Sequence, residues 1–384
     1  MTSRKRIVFL ASHLLSPSVA SGGDILFCEL AARIAKRRPE WEIAVLGPDF
    51  ARAALEQFFE RVVTFPTGRG EGRQGSPANV ALTWRRRLKS TTEILGSLRP
   101  DLVHSTGDFF VDVWPVAAAK RRADLKWSGV VHHVNAPPLR RQNDLAVAAV
   151  SYALQRRSFR ALRAADSISV LNHQVRSELE RLHFSPHRVH VVGAGIDVER
   201  FALAPAVNRT RRAVWLNRLE PTKGLFDLPD ILRSLPDDIS IDVIGRGPDV
   251  HVARLKRALE KVGVADRCVL HGFLPDEQMR AVLAGAGVFI SCSYEEGWGI
   301  SIAEALAMGL PCVAYDLPSH REIFGSAIQL VPIGDTAAFA KKIEAALDSR
   351  DDDGLRAGRR EAAGRFSLEE CARRQEEILA SVIA

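Results

Sequence analysis

Cysteine is scarce and scattered in this chain. Its five residues, Cys28, Cys268, Cys292, Cys312 and Cys371, form no C-x-x-C pair. Neither a thiolate zinc site nor a disulfide framework is therefore indicated, and a reducing compartment is the simplest expectation. Long apolar runs are missing as well. A membrane-spanning helix needs about eighteen consecutive apolar residues, and none occur, so any membrane contact is expected to be peripheral. The opening MTSRKR leads straight into the apolar run at residues 7–10, with no long apolar region or small-residue cleavage site behind it. No secretion signal is expected, and a cytoplasmic location, with or without peripheral contact at the inner face of the membrane, follows. Aromatics are only 7% of the residues and are spread along the chain. That speaks against a base-stacking surface for nucleic acid, although the formal charge of +7 suits some anionic partner.

What is present is a regular alternation. At 384 residues and 46% hydrophobic content the chain can bury two cores of ordinary size. Short apolar runs, IVFL, EIAVLG, VVTF, DLVHS, SGVVHHV, SISVL and HVVG, alternate with segments of helical period. The second half repeats the habit with AVWLN, ISIDVIG, CVLHG, VFISC, PCVAY and AIQLV. This is the βα rhythm of doubly wound parallel sheets, and it predicts an α/β chain of two Rossmann-like domains. Turn formers and charge around Gly193, Gly195 and residues 205–212 place the boundary near 205, giving domains 1–204 and 205–365. Two such domains facing each other across a cleft present their strand carboxyl ends, and so a ligand site, to that cleft. The tail 366–384 has helical period through Leu368, Cys371, Ile378 and Val382, so its apolar stripe needs a surface, the first domain being one choice.

Several constellations point toward a polyhydroxylated, phosphorylated ligand. Glu296 and Glu304 stand eight residues apart in EEGWGISIAEALAMGLP, where Gly297 and Gly299 let the backbone come close to a ligand and an apolar helix begins at Ile300. Taken alone, the same pair reads equally well as a solvated loop glutamate and a glutamate complementing a helix dipole. Arg218 and Lys223, on the loop after the first strand of the second domain, can neutralise a diphosphate, or be ordinary surface cations. Ser21, Gly22, Gly23 and Asp24 offer backbone donors ahead of a helix at 25–37 without the G-x-G-x-x-G spacing, and IGRGPD, from Ile244 to Asp249, is a second glycine turn. His132 and His133 end a strand with no metal-ligand partner at a recognisable spacing.

Together these motifs resemble glycosyltransferase family 4, the retaining GT-B enzymes that transfer a sugar from a nucleotide-sugar donor. SGGD, PDLVHS, HH, GAGIDVERF, NRLEPTKG, IGRGPD, LHGFLPDEQM, EEGWGISIAEALAMGLPCVA and RFSLEE carry the resemblance over nearly the whole chain. It implies that Arg218 and Lys223 grip the donor diphosphate and that Glu304 takes the ribose hydroxyls. Glu296 with the backbone of Gly297, Trp298, Gly299 and Ile300 holds the transferred sugar. Gly22 and Gly23 close over the phosphates, with the Gly245 turn on the donor side, and backbone groups around Phe273 meet the base. His133 is the choice for the histidine facing the donor sugar, with His132 as the alternative. The implied chemistry is front-face attack with retention, the leaving phosphate assisting deprotonation of the acceptor. No cofactor or metal is called for, and no D-x-D motif is present to bind one. Asn217 stands where glycine is commoner, Ala194 replaces the usual asparagine before Gly195, and Ser301 sits at a frequent proline position. Donor base, sugar and acceptor stay open, a UDP- or GDP-sugar being equally compatible.

Within residues 81–98, Ala81, Trp84, Leu88, Leu95 and Leu98 recur at helical spacing while Arg85, Arg86, Arg87 and Lys89 crowd the other side. Beside the Gly/Arg-rich loop 67–79, this face reads either as a solvated helix surface or as a contact for anionic headgroups or a lipid-linked or glycan acceptor. Arg140 and Arg141, in NAPPLRRQ, are expected on the acceptor side. A GT-B epimerase is the alternative enzyme reading. A phosphorylase would want a pyridoxal lysine, for which no motif speaks.

Overall fold

A computed structural model describes residues 4–14, 22–67, 77–141, 145–202, 210–348 and 352–384. Ser21, the core of the Gly/Arg-rich loop, Gln142 and residues 205–209 of the expected boundary lie outside the described residues. The chain divides into two compact units, and each is an α/β layer structure with one parallel sheet.

The first unit comprises residues 1–138, 146–194 and 368–384. Its strands are β1 (Arg6–Leu10), β2 (Glu42–Pro48), β3 (Val62–Phe65), β4 (Leu102–Ser105), β5 (Lys126–Val131), β6 (Ser167–Val170) and β7 (Val189–Val191). They lie in the order β3-β2-β1-β4-β5-β6-β7 and pair in parallel throughout. The helices that cross between them are α1 (Gly22–Arg37), α2 (Arg52–Leu55), α3 (Pro77–Leu98), α4 (Phe110–Lys120), α5 (Leu145–Leu162) and α6 (His173–Arg181). Successive residues of β1 point to opposite faces: Ile7 and Phe9 enter one core with Cys28, Ala31 and Ile34 of α1. Val8 and Leu10 enter another with Val113, Val116, Phe159 and Leu162. Because helices cover both faces, strands read as unbroken apolar runs rather than alternating ones.

The second unit comprises 139–145 and 195–367. Its helices are α7 (Val198–Ala202), α8 (Leu228–Arg233), α9 (Asp249–Lys261), α10 (Asp276–Gly285), α11 (Ile300–Ala307), α12 (Pro318–Phe324), α13 (Thr336–Asp348) and α14 (Asp353–Gly364). The strands β8 (Arg212–Leu216), β9 (Ser240–Ile244), β10 (Cys268–Gly272), β11 (Val288–Ser291), β12 (Cys312–Tyr315) and β13 (Gln329–Val331) lie in the order β10-β9-β8-β11-β12-β13. Trp215, Ile241, Val243, Ile290, Val313 and Phe339 anchor the core. All strands of a parallel sheet end at the same edge, so the loops after β8, β9, β10 and β11 gather there.

The units divide at Ala194/Gly195, ahead of the expected boundary near 205, because α7 packs on α11 and α14 and so belongs to the second core. The last helix, α15 (Leu368–Ile383), returns to the first unit and lies against α1. Leu379 and Ile383 share a core with Ile7 and Phe9, while Glu376 pairs with Arg37 and, at 2.6 Å, with Arg38. The buried stripe of α15 runs through Leu368, Cys371, Gln375, Leu379 and Ile383, one position off Ile378 and Val382. Among the described residues no helix is long and apolar enough to cross a membrane.

Candidate active site

In the second unit, Glu296 sits on the loop between β11 and α11. Its Oε1 lies 2.8 Å from Lys223 Nζ and accepts the Ser293 hydroxyl at 2.8 Å, with Asn217 Nδ2 at 3.5 Å. Lys223 also donates to the Glu295 carbonyl at 3.1 Å, and Ser319, on α12, donates to the Glu296 carbonyl at 3.0 Å. Burial alone would raise the Glu296 carboxyl. The Lys223 ammonium, His320 and the Ser293 hydroxyl outweigh it and bring the group down to about 2, so it is an anion at neutral pH.

The turn that delivers Lys223 demands glycine after it. Gly224 has φ +71, and a Cβ there would lie 1.9 Å from the Cys292 carbonyl oxygen. Gly245, at φ +144, is equally constrained: its Cβ would meet the Asn217 carbonyl oxygen at 1.8 Å. Its physical role is thus to let the loops after β8 and β9 touch.

Glu304, partly buried on α11, has different neighbours. Burial first, and then the Asp276 carboxylate, push its carboxyl up to about 8 against the opposing Arg200, which is itself paired with Asp276 at 2.8 Å. Glu296 and Glu304 therefore have separate sets of charged partners. A carboxyl whose folded pKa exceeds its unfolded value costs stability above the folded pKa, and the cost fades as pH falls toward the unfolded value. Glu304→Gln is accordingly expected to raise the stability near pH 9 by on the order of 2 kcal/mol, with the gain vanishing toward pH 4.5. Melting temperatures of both proteins from pH 4.5 to 9 check this, and a constant offset would contradict it.

Other expected site residues fall elsewhere. The Arg218 guanidinium is exposed and paired with Glu220 at 2.8 Å, apart from the Lys223–Glu296 pair. Trp298 is buried core, its ring packed on Phe324 and Phe366, so its side chain is not a ligand contact. Gly297 and Gly299 flank it, and Ile300 opens α11. Phe273 is 47% exposed, with the Arg246 guanidinium stacked 4.0 Å from its ring centre. Arg141 falls with the second unit and forms a two-pronged pair with Glu295 at 2.7 and 2.8 Å, so it is not an acceptor-side cation of the first domain. Arg140 is exposed.

In the first unit His132 and His133 follow β5 directly. His132 Nε2 donates to the Thr106 carbonyl at 2.9 Å, and the His133 carbonyl accepts from Gln155 at 2.8 Å. Gly22 and Gly23 form the first turn of α1 rather than a turn before it. Asp24, next along, holds His13 at 2.9 Å, with Asp112 of α4 at 3.0 Å on the other nitrogen. Burial would lower the His13 pKa, but the two carboxylates bring it up to about 10, an imidazolium that ties β1, α1 and α4 together. Arg85 and Arg86 are exposed. Arg87 is not part of that surface: it is 1% exposed, donates to the Ser12 and Leu14 carbonyls at 2.7 Å each, and stacks over Phe50 and Phe65.

Sequence reasoning missed Ser293, Ser319, His320 and His13. Asn217 had drawn notice only as a departure from a glycine, and the others carry no local motif.

Two family profiles tile the chain: Glycosyltransferase Family 4 over residues 20–200 and Glycosyl transferases group 1 over residues 203–364. A GDP-mannose:cellobiosyl-diphosphopolyprenol alpha-mannosyltransferase of Xanthomonas oryzae pv. oryzae is 26% identical over 304 residues, 75% of each chain. A 2-deoxystreptamine N-acetyl-D-glucosaminyltransferase of Streptomyces fradiae is 30% identical over 63% of this chain and 62% of its own. In fold, the chain matches sucrose-phosphate synthase from Thermosynechococcus elongatus with a TM-score of 0.81 at 18% identity, covering 98% of this chain and 99% of that one. It matches Anabaena HepE in complex with UDP-glucose at 0.79 and 18%, with the same coverage. Two parallel-sheet units of this order, with these structural neighbours, define the GT-B fold, and the two profiles make the chain a glycosyltransferase. Within that class the chain belongs to glycosyltransferase family 4.

Proposed function

We propose that this glycosyltransferase moves a sugar from a nucleoside-diphosphate sugar to an acceptor hydroxyl with retention of anomeric configuration and without a divalent metal. The observation that carries the reading is the Lys223–Glu296 pair, a cation and an anion side by side, each largely but not fully enclosed, at the strand ends of the second unit. Lys223, with Arg218 swung from Glu220, meets the diphosphate; Glu296 accepts hydroxyl hydrogen bonds from the sugar, and Glu304 binds the ribose hydroxyls. The bond from C1 to the β-phosphate oxygen breaks as the acceptor oxygen bonds to C1 on the same face. The acceptor proton passes to the departing phosphate oxygen. In such a loose transition state the protein chiefly positions the reactants and stabilises departing charge, which suits cations and backbone donors. His133, or His132 in its place, faces the donor sugar, and the first turn of α1 with Gly22 and Gly23 meets the phosphates from the first unit. The polyprenol-diphosphate acceptor named for the Xanthomonas relative supports a lipid-linked acceptor.

The test incubates the protein with UDP-glucose and GDP-mannose, each with a polyprenyl-diphosphate-linked sugar or an aminocyclitol, in buffer containing EDTA. The expected result is acceptor-dependent release of UDP or GDP and an α-linked product by its one-bond C1–H1 coupling. A β-linked product, or transfer abolished by EDTA and restored by a divalent metal, would overturn the mechanism.

A further inference from the structure

Three donors converge on one oxygen of Glu296: Lys223 and Ser293 at 2.8 Å each and Asn217 at 3.5 Å, all on Oε1. A carboxylate oxygen offers about two lone-pair sites, so the third donor is held at the limit of bonding distance. The orientation of Asn217 is settled by its own backbone. Its Oδ1 accepts the Arg218 N–H at 3.0 Å, which turns Nδ2 toward Ser293 Oγ at 3.4 Å and Glu296. Its main chain is fixed too, by the N–H donated to the Ile244 carbonyl at 3.1 Å. Among the described residues no donor is seen on Oε2, and the carboxylate keeps 15% of its side-chain surface exposed.

We infer that Asn217 is a positioning residue that takes over Glu296 Oε1 when Lys223 leaves it for the donor diphosphate, keeping Oε2 aimed at the hydroxyls of the transferred sugar. The inference rests on the reading of this site as a nucleoside-diphosphate sugar site. A lysine bound to phosphate cannot hold the carboxylate at the same distance, and an anion left with Ser293 alone would turn or take up a proton. Asn217 stands at the spot to prevent that, with its amide already turned toward the vacated lone pair. A glycine there leaves Glu296 dependent on Lys223, so donor phosphate and donor sugar compete for one cation's partners. Asn217 thus bears on sugar affinity and leaves the nucleotide end untouched.

Titration calorimetry of wild type, Asn217→Gly, Asn217→Ser and Asn217→Gln with UDP, GDP, UDP-glucose and GDP-mannose separates the two ends. Whichever diphosphate the wild type binds, Asn217→Gly is expected to bind it within about twofold, yet to bind the matching nucleotide sugar roughly tenfold more weakly, the size of one charge-assisted hydrogen bond. Asn217→Gln, which retains the amide, is expected to recover part of the sugar affinity and Asn217→Ser less. Equal weakening of diphosphate and nucleotide sugar, or no change in either, would overturn the inference. Failure of the wild type to bind any of the four would instead overturn the donor-site reading beneath it. Unaltered circular dichroism and melting temperature in the glycine variant separate a lost contact from a lost fold.

Discussion

Replacing Lys223 with alanine is expected to lower kcat/KM by about 10²- to 10³-fold, the range found when one preorganised donor to departing charge is removed. The same substitution leaves Glu296 a largely enclosed anion without its counter-ion, and breaking such a pair costs about 3 kcal/mol. The pH dependence of that cost identifies its source. With Lys223 in place the folded Glu296 carboxyl titrates near 2, below its unfolded value, so its stabilisation is complete above about pH 4.5 and is lost as pH falls toward 2. Without Lys223, burial raises the carboxyl, and the resulting penalty is relieved by protonation as pH drops. The stability gap between the two proteins should therefore be widest near pH 7 and shrink toward pH 4. Initial rates with the accepted donor, together with melting temperatures from pH 4 to 8, check both halves. A pH-independent gap would show that the loss is one of packing.

Arg87→Ala is the second large effect, and it concerns the fold rather than the chemistry. The guanidinium is enclosed beside the segment that follows β1, bonded to two of its carbonyl oxygens and stacked on two phenylalanine rings. Truncation removes those bonds, leaves two buried carbonyls without their donor and opens a space the size of the side chain, for a loss of about 3–4 kcal/mol. For a unit of this size that corresponds to a fall of roughly 10 °C in melting temperature. Arg85→Glu and Arg86→Glu, on the exposed side of the same helix, are expected to change stability by less than about 0.5 kcal/mol. Differential scanning calorimetry of the three variants decides the matter. Equal, small shifts would mean that Arg87 is a surface residue after all.

These two residues also show what the sequence could and could not convey. Among the described residues all thirteen strands coincide with apolar runs of the sequence, because helices cover the faces of each sheet and the central strands are buried, whereas the outer strand β10 is partly exposed. The Lys223 and Glu296 motifs were legible for a related reason: glycine turns at strand ends mark where loops approach one another. Their pairing was not, since it depends on how the loops after β8 and β11 meet. Arg87 falls outside the expected cationic face because a helical projection counts charge by angle alone, whereas its carbonyl and aromatic partners come from residues 12, 14, 50 and 65. Trp298 lies inside the motif expected to hold the sugar through its backbone, and its side chain belongs to the core. His13, Asp24 and Asp112 are distributed over three elements, and no spacing joins them. The boundary shift has the same origin, as the attachment of α7 to the second unit is a matter of tertiary packing.

The proposed function requires the second unit to hold a nucleoside diphosphate through Lys223. Titration calorimetry with UDP and GDP on wild type, Lys223→Ala and Arg86→Glu tests it without any knowledge of acceptor or sugar. Wild type and Arg86→Glu are expected to bind one of the two diphosphates alike, and Lys223→Ala to bind it at least about tenfold more weakly. Binding by Lys223→Ala equal to that of wild type, or no binding of either diphosphate to wild type, would contradict it.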